Sequence, residues 1–184
     1  LFNGYVNSDP MTSKRFCDSL MAVAPDSDMF YYGLSLRAIS HLALNESDSL
    51  GIVYNRVCRY LHGRDPKQSP VTIRAMRNVC NAKGIAYSYG KMGDSAIFYL
   101  RRTIDYELPQ RLPLAWINLA DSYVQQGLFV EGAESYRKAM HLNDSLGKVL
   151  RPDYIYSGLA MSYLQIGEYA EAERYFTMSG DYLD

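Results

Sequence analysis

The chain has 184 residues, of which 48% are hydrophobic and 21% charged, and its formal net charge is −1. This length and composition are typical of one folded domain and argue against disorder. The small net charge gives no reason to expect nucleic acid as a partner, and no apolar run is long enough for a membrane span.

The first part of the chain predicts a lead-in followed by a single helix. Pro10 and the polar residues before it are typical of irregular structure, so residues 1–10 are interpreted as a lead-in. A helix is predicted within residues 11–27. Because the chain begins at Leu1 rather than at a methionine, we expect it to be a fragment of a longer protein.

Residues 28–62 predict a helical hairpin with a degraded pattern. Apolar residues recur at helical spacing on both sides of a polar turn at residues 45–48. The following segment, residues 62–70, contains Gly63 and Pro66 and is predicted to be a loop. Ser69 is expected to cap the next helix.

Three clearer hairpins are predicted over residues 70–106, 112–143 and 151–180. In each, the first helix has residues at i, i+3, i+4 and i+7 on one face and ends at a glycine. These first helices carry Ala82, Ile85, Ala86 and Tyr89 before Gly93; Trp116, Leu119, Ala120 and Tyr123 before Gly127; and Tyr156, Leu159, Ala160 and Tyr163 before Gly167. The second helices carry Ala96, Leu100 and Thr103; Phe129, Gly132, Tyr136 and Ala139; and Tyr169, Ala172, Phe176 and Ser179.

The hairpins repeat with a defined period. In this alignment Tyr89, Tyr123 and Tyr163 are equivalent, and they are 34 and 40 residues apart. The run Trp116–Tyr123 reads Trp-x-x-Leu-Ala-x-x-Tyr, and the second helix that follows has a small residue and an aromatic residue four positions apart. This pattern resembles the signature of the tetratricopeptide repeat (TPR) family, whose period is 34 residues.

The resemblance implies an all-α fold in which antiparallel helix hairpins stack into a right-handed α-solenoid. The solenoid would form a single domain over residues 1–184, because no hairpin buries its apolar face alone. The irregular repeats and the many tyrosines also resemble the TPR segments of bacterial regulatory and sensor proteins.

Residues capable of catalysis or metal binding form no recognisable motif. The cysteines lack a Cys-x-x-Cys pair, the histidines lack a second ligand at metal-binding spacing, and the glycines match no nucleotide-binding loop. We therefore expect no enzymatic activity, no cofactor and no metal, and we expect the cysteines to be small buried side chains. The residues considered are Cys17, Cys58, Cys80, His41, His62 and His141.

In the TPR family the first helix of each hairpin lines a concave groove that binds partners. Carried over by register, the resemblance implies a groove that combines apolar and hydrogen-bonding groups and suits a peptide with an acidic portion. Its residues would be Lys83, Tyr87 and Lys91; Leu114, Ile117, Asn118, Asp121 and Gln125; and Tyr154, Met161, Leu164 and Gln165.

Some family members grip a C-terminal carboxylate with basic and amide side chains at set groove positions. Lys83 and Asn118 fit two of those positions. Tyr87, Tyr154 and Gly158 stand where the remaining polar and basic residues are required. The resemblance therefore implies an incomplete carboxylate clamp.

Two functions follow from these features. The first is a non-catalytic scaffold whose groove binds another protein or a peptide. The alternative is a sensory or regulatory segment of a larger bacterial signal-transduction protein, such as a histidine kinase or a transcriptional regulator. That segment would act by packing on another domain of the same chain or on a second copy. Either a cytoplasmic location or the periplasmic part of a membrane-anchored protein is compatible with the sequence.

Overall fold

The computed structural model describes residues 9–181, and all the regular structure in that range is helical. Nine α-helices are described, together with two short 3₁₀ turns at Pro66–Gln68 and Pro109–Arg111. The helices are α1 (Pro10–Ala22), α2 (Ser27–Ala43), α3 (Ser47–Tyr60), α4 (Pro70–Tyr89), α5 (Gly93–Asp105), α6 (Leu112–Gln125), α7 (Phe129–Ser145), α8 (Asp153–Gln165) and α9 (Tyr169–Gly180). The prediction of an all-α fold is confirmed.

Side-chain caps explain where the early helices begin. The Asp9 carboxylate accepts a hydrogen bond from the backbone N–H of Thr12, so α1 starts at Pro10. Asp26 caps α2 in the same way, by accepting from the backbone N–H of Met29. Because α2 starts at Ser27, the helix predicted within residues 11–27 ends before that residue. Ser69 caps α4, as the sequence predicts. The rest of the predicted lead-in, residues 1–8, lies outside the described residues.

A shared turn joins the two helices of each hairpin. The backbone N–H of Met92 donates to the carbonyl of Tyr87, that of Leu128 to Tyr123, and that of Glu168 to Tyr163. The same bond runs from Glu46 to His41 in the first hairpin. Each of these turns also contains one residue with positive φ. In these four hairpin turns the residues with positive φ are Asn45, Lys91, Gly127 and Gly167.

These turn bonds correct the predicted alignment of the hairpin α4–α5. Tyr87, and not Tyr89, is equivalent to Tyr123 and Tyr163. Gly93 begins α5 and does not end α4, because the left-handed position of this turn is taken by Lys91. The alignment was wrong by two residues because it assumed a glycine at the left-handed position.

Residue contacts divide the chain into two compact units, the first ending at Glu107 and the second beginning at Leu108. In the first unit α2 packs against α1, α3 and α4, and α4 packs in turn against α5. Its core includes Ala38, Val57, Val79 and Cys80, all fully buried.

The second unit consists of the hairpins α6–α7 and α8–α9. Helix α7 packs against both α6 and α8, so the two hairpins stack within this unit. Ala120, Ala139, Ile155 and Leu159 are fully or almost fully buried in its core. The small residues let the helices of a hairpin approach closely, as the sequence pattern predicts.

Candidate functional site

The structure places the twelve predicted groove residues in two separate units. Nine of them belong to α6 and α8 of the second unit, and Lys83, Tyr87 and Lys91 belong to the first.

In the second unit, one surface is formed by residues that follow each other at intervals of three or four along α6, together with four residues of α8. The two helices adjoin here, because the hydroxyl of Tyr154 on α8 donates to Asp121 on α6 over 3.0 Å. We name this surface the α6–α8 face. Its residues are Leu114, Asn118, Asp121, Gln125, Tyr154, Met161, Leu164 and Gln165.

The α6–α8 face combines exposed apolar side chains with hydrogen-bonding groups. Leu114, Tyr154, Met161 and Leu164 are all exposed large apolar or aromatic residues. Ile117 differs, because it is only 5% exposed and packs in the core of the unit. Its side chain does not contribute to the surface, although it was predicted to line the groove.

Asp121 forms the polar centre of the α6–α8 face. Its carboxylate accepts hydrogen bonds from the hydroxyls of Tyr136 and Tyr154. Burial raises the pKa of Asp121 above its ordinary value, and the two tyrosine hydrogen bonds act in the opposite direction. The carboxylate is therefore held in place by two neighbouring helices.

Gly158 is required for this arrangement. A Cβ atom at Gly158 would lie 2.3 Å from the Tyr136 ring, far inside van der Waals contact. The missing side chain lets the ring of Tyr136 pass between α6 and α8 and reach Asp121.

In the first unit, the corrected alignment moves the predicted residues off the equivalent face of α4. The residues Asn78, Ala82, Ile85 and Tyr89 are equivalent to Leu114, Asn118, Asp121 and Gln125 of the α6–α8 face. The three predicted residues lie elsewhere. Lys83 has the position of Leu119, Tyr87 has the position of Tyr123, and Lys91 is an exposed residue of the turn.

Lys83 is surrounded by aromatic rings. Its ammonium nitrogen lies 4.2 Å from the centroid of the Tyr54 ring, 4.9 Å from that of Tyr99 and 5.6 Å from that of Tyr87. All three distances are within the range of cation–π attraction. Tyr87 and Tyr99 also stack on each other.

Lys83 and Tyr87 line an open cleft of about 600 Å³ between α3 and α4. We name it the α3–α4 cleft. Its other lining residues come from the N-terminal half of α3, the C-terminal half of α4 and the turn that follows. They are Ser47, Asp48, Leu50, Gly51, Ile52, Asn55, Ala86, Gly90 and Met92.

Ile52, Asn55 and Met92 were not among the predicted site residues. Ile52 is 61% exposed and Met92 is 54% exposed, which is high for apolar side chains in a folded chain. The sequence contained one usable signal, because Asp48, Ile52 and Asn55 recur at intervals of four and three on one face of α3.

Neither a metal-binding cluster nor a membrane-spanning helix is present in the described part of the sequence. Among residues 9–181, no group of three or more histidine, cysteine, aspartate or glutamate side chains could hold a metal ion. The helices of that range are too short or too polar to span a membrane.

The fold is similar to a known class of helical repeat. One similar solved structure is a crystal structure of nearly identical TPR-like repeats of a protein described as a kinesin light chain from Podosopora anserina. The TM-score is 0.67 with 14% sequence identity, and the match covers 98% of this chain and 90% of that chain. No protein-family model matches the sequence, and no curated protein matches it. The predicted resemblance is confirmed at the level of the fold: the described residues form a TPR-like helical-repeat fold.

Proposed function

We propose that this chain is a non-catalytic scaffold that binds another protein or a peptide. Helical repeats of the TPR-like type generally serve protein binding, since stacked hairpins present extended surfaces. The proposal is carried by the α6–α8 face, where two helices present four exposed apolar or aromatic side chains and the carboxylate of Asp121 joins the helices by accepting from Tyr154.

This combination suits a peptide ligand. Leu114, Tyr154, Met161 and Leu164 offer apolar area, while the exposed Gln165 on the same face offers an amide donor and acceptor. Interfaces of this kind gain most of their affinity from a few buried apolar or aromatic anchors. A bound helix or extended segment would cover such anchors.

The experiment is a selection of displayed random peptides against the full chain, followed by affinity measurement for the enriched peptides. Met161→Glu places a charge on the α6–α8 face and is expected to weaken binding about tenfold or more. Val130→Glu is the matched control, because Val130 is an equally exposed apolar residue on α7. Loss of binding in both variants would contradict the proposal. It would also be contradicted if binding survived Met161→Glu, Val130→Glu and every substitution in the α3–α4 cleft.

The alternative is a regulatory segment of a bacterial signal-transduction protein that acts by self-association or intramolecular packing. The same exposed apolar side chains favour it, because a second copy would cover them equally well. Light scattering over a range of concentrations separates the two functions. A dimer that Met161→Glu abolishes would favour self-association, and a concentration-independent monomer would favour an external partner.

A further inference from the structure

Lys83 occupies a position that is apolar and buried in the last two hairpins. The equivalent residues are Leu119, which is 1% exposed, and Leu159, which is fully buried. A lysine at such a position exchanges apolar packing for a charge that is costly to remove from water. Departures of this kind from the local pattern of a repeat often mark functional positions.

The first hairpin also has a cation at this position, and there the charge is paired with a carboxylate. Its equivalent residue is Arg37 on α2, and the Arg37 guanidinium forms a salt bridge with Asp18 on the preceding helix α1. The carboxylate is thus supplied by the helix that packs against the first helix of the hairpin.

Lys83 lies on the first helix of its hairpin, and the preceding helix α3 packs against it as α1 packs against α2. Helix α3 supplies the aromatic ring of Tyr54 in place of a carboxylate. Within the described residues, no carboxylate oxygen lies within 4 Å of the Lys83 ammonium. Aromatic faces attract the charge but do not neutralise it, and they accept no strong hydrogen bond. The ammonium therefore retains unused donors beside the cleft.

The α3–α4 cleft has the size and lining to bring an anion to this ammonium. Ile52 and Met92 supply exposed apolar area, and Asn55 supplies an amide. Asp48 also lines the cleft and opposes a second negative charge. With one positive charge from Lys83 and one negative charge from Asp48 at the cleft, a singly charged carboxylate is repelled less than a phosphate dianion.

We propose that the α3–α4 cleft binds an aspartate or glutamate side chain of a partner peptide. The peptide carboxylate forms an ion pair with Lys83 in the place that Asp18 takes beside Arg37. An apolar residue next to it in the peptide packs on Ile52 and Met92. This inference rests on the proposed binding function and names the chemistry of one of its ligands.

The test is a double-mutant cycle between the protein and a peptide. Peptides enriched from the random library on the full chain are measured by fluorescence anisotropy against wild type, Lys83→Met and Lys67→Met. Each measurement is repeated with the acidic residue of the peptide replaced by its amide. Methionine keeps the length and apolar stem of the lysine, and circular dichroism checks that each variant is folded.

We expect the enriched peptides to carry an acidic residue beside an apolar one. Lys83→Met and the amide peptide are each expected to weaken binding about tenfold or more, because each removes the same charged hydrogen bond. Together they should weaken it no further than either alone. Lys67→Met should leave the affinity unchanged, because Lys67 is an exposed lysine that does not line the cleft and precedes the opposite end of α4.

Four outcomes would overturn the inference. Independent, additive losses would mean that Lys83 and the peptide carboxylate do not meet. Tighter binding of a phosphoserine peptide would identify a phosphate as the ligand. Peptides that respond to Met161→Glu but not to Lys83→Met would reject the cleft while leaving the scaffold function intact, whereas no enrichment at all would reject both.

Discussion

His41 occupies the position that Tyr87, Tyr123 and Tyr163 hold in the other three hairpins. It is buried, and its Nδ1 contacts the carboxylate of Glu46. Burial lowers the pKa of His41, and the charges of Lys14 and Arg37 act in the same direction, while Glu46 opposes them. The folded chain therefore favours the neutral imidazole.

This shift predicts a pH dependence of stability. Because the folded-state pKa of His41 lies below its ordinary value, its stabilising contribution is present above that ordinary value and is lost as the pH falls through the folded-state pKa. We expect the free energy of unfolding of the wild type to decrease from pH 7.5 to pH 5. His41→Tyr introduces the residue that the other hairpins have at this position. The free energy of unfolding of this variant should decrease less over the same pH range. Urea unfolding at both pH values measures this, and equal decreases would contradict it.

Between neighbouring helices, close approach depends on glycines that face a bulky side chain. Gly158 on α8 faces the ring of Tyr136, and Gly84 on α4 faces Leu100, whose Cγ would lie 2.7 Å from an added Cβ. Gly84 also stands at the small-residue position that Ala120 and Ala160 occupy in the later hairpins. The corrected alignment thus brings the hairpin α4–α5 closer to the TPR signature.

Substitution of two helical glycines by alanine should have opposite effects. Gly158→Ala is expected to destabilise the chain by about 1–3 kcal/mol, because the Tyr136 ring must move. Gly51→Ala is expected to stabilise it by about 0.5–1 kcal/mol, because alanine favours the helix and nothing lies within 4 Å of the added Cβ. Urea unfolding gives both values. Equal effects of the two substitutions would mean that the Tyr136 contact does not restrict position 158.

Over the whole molecule, the chain consists of repeats that contact mainly their sequence neighbours. The stability of such proteins is close to a sum of repeat and nearest-neighbour terms. Each of the two compact units has its own buried core. We therefore expect local damage to stay largely within the unit that carries it.

Hydrogen exchange tests this expectation. Gly158→Ala should accelerate amide exchange in α6–α9 more than in α1–α5, and Gly84→Ala, with a comparable clash in the first unit, should show the reverse. Uniform acceleration across both units in either variant would show that the chain opens as one cooperative body.

The sequence by itself determined the helices and the class of fold. Helical periodicity locates the apolar faces, and the pattern of small and aromatic residues specifies how hairpins pack, because both depend on contacts close in sequence. The register failed only in α4, where Lys83 replaces the framework leucine and Lys91 replaces the glycine of the turn.

Only the tertiary structure decided the character of the candidate sites. Tyr54 and Tyr99 reach Lys83 from two other helices, and Tyr136 reaches Asp121 from a helix that the groove pattern did not include. Burial of Ile117 likewise depends on the stacking of the second hairpin of its unit. These properties arise from residues distant in sequence, whose distances and desolvation are set by how the helices pack.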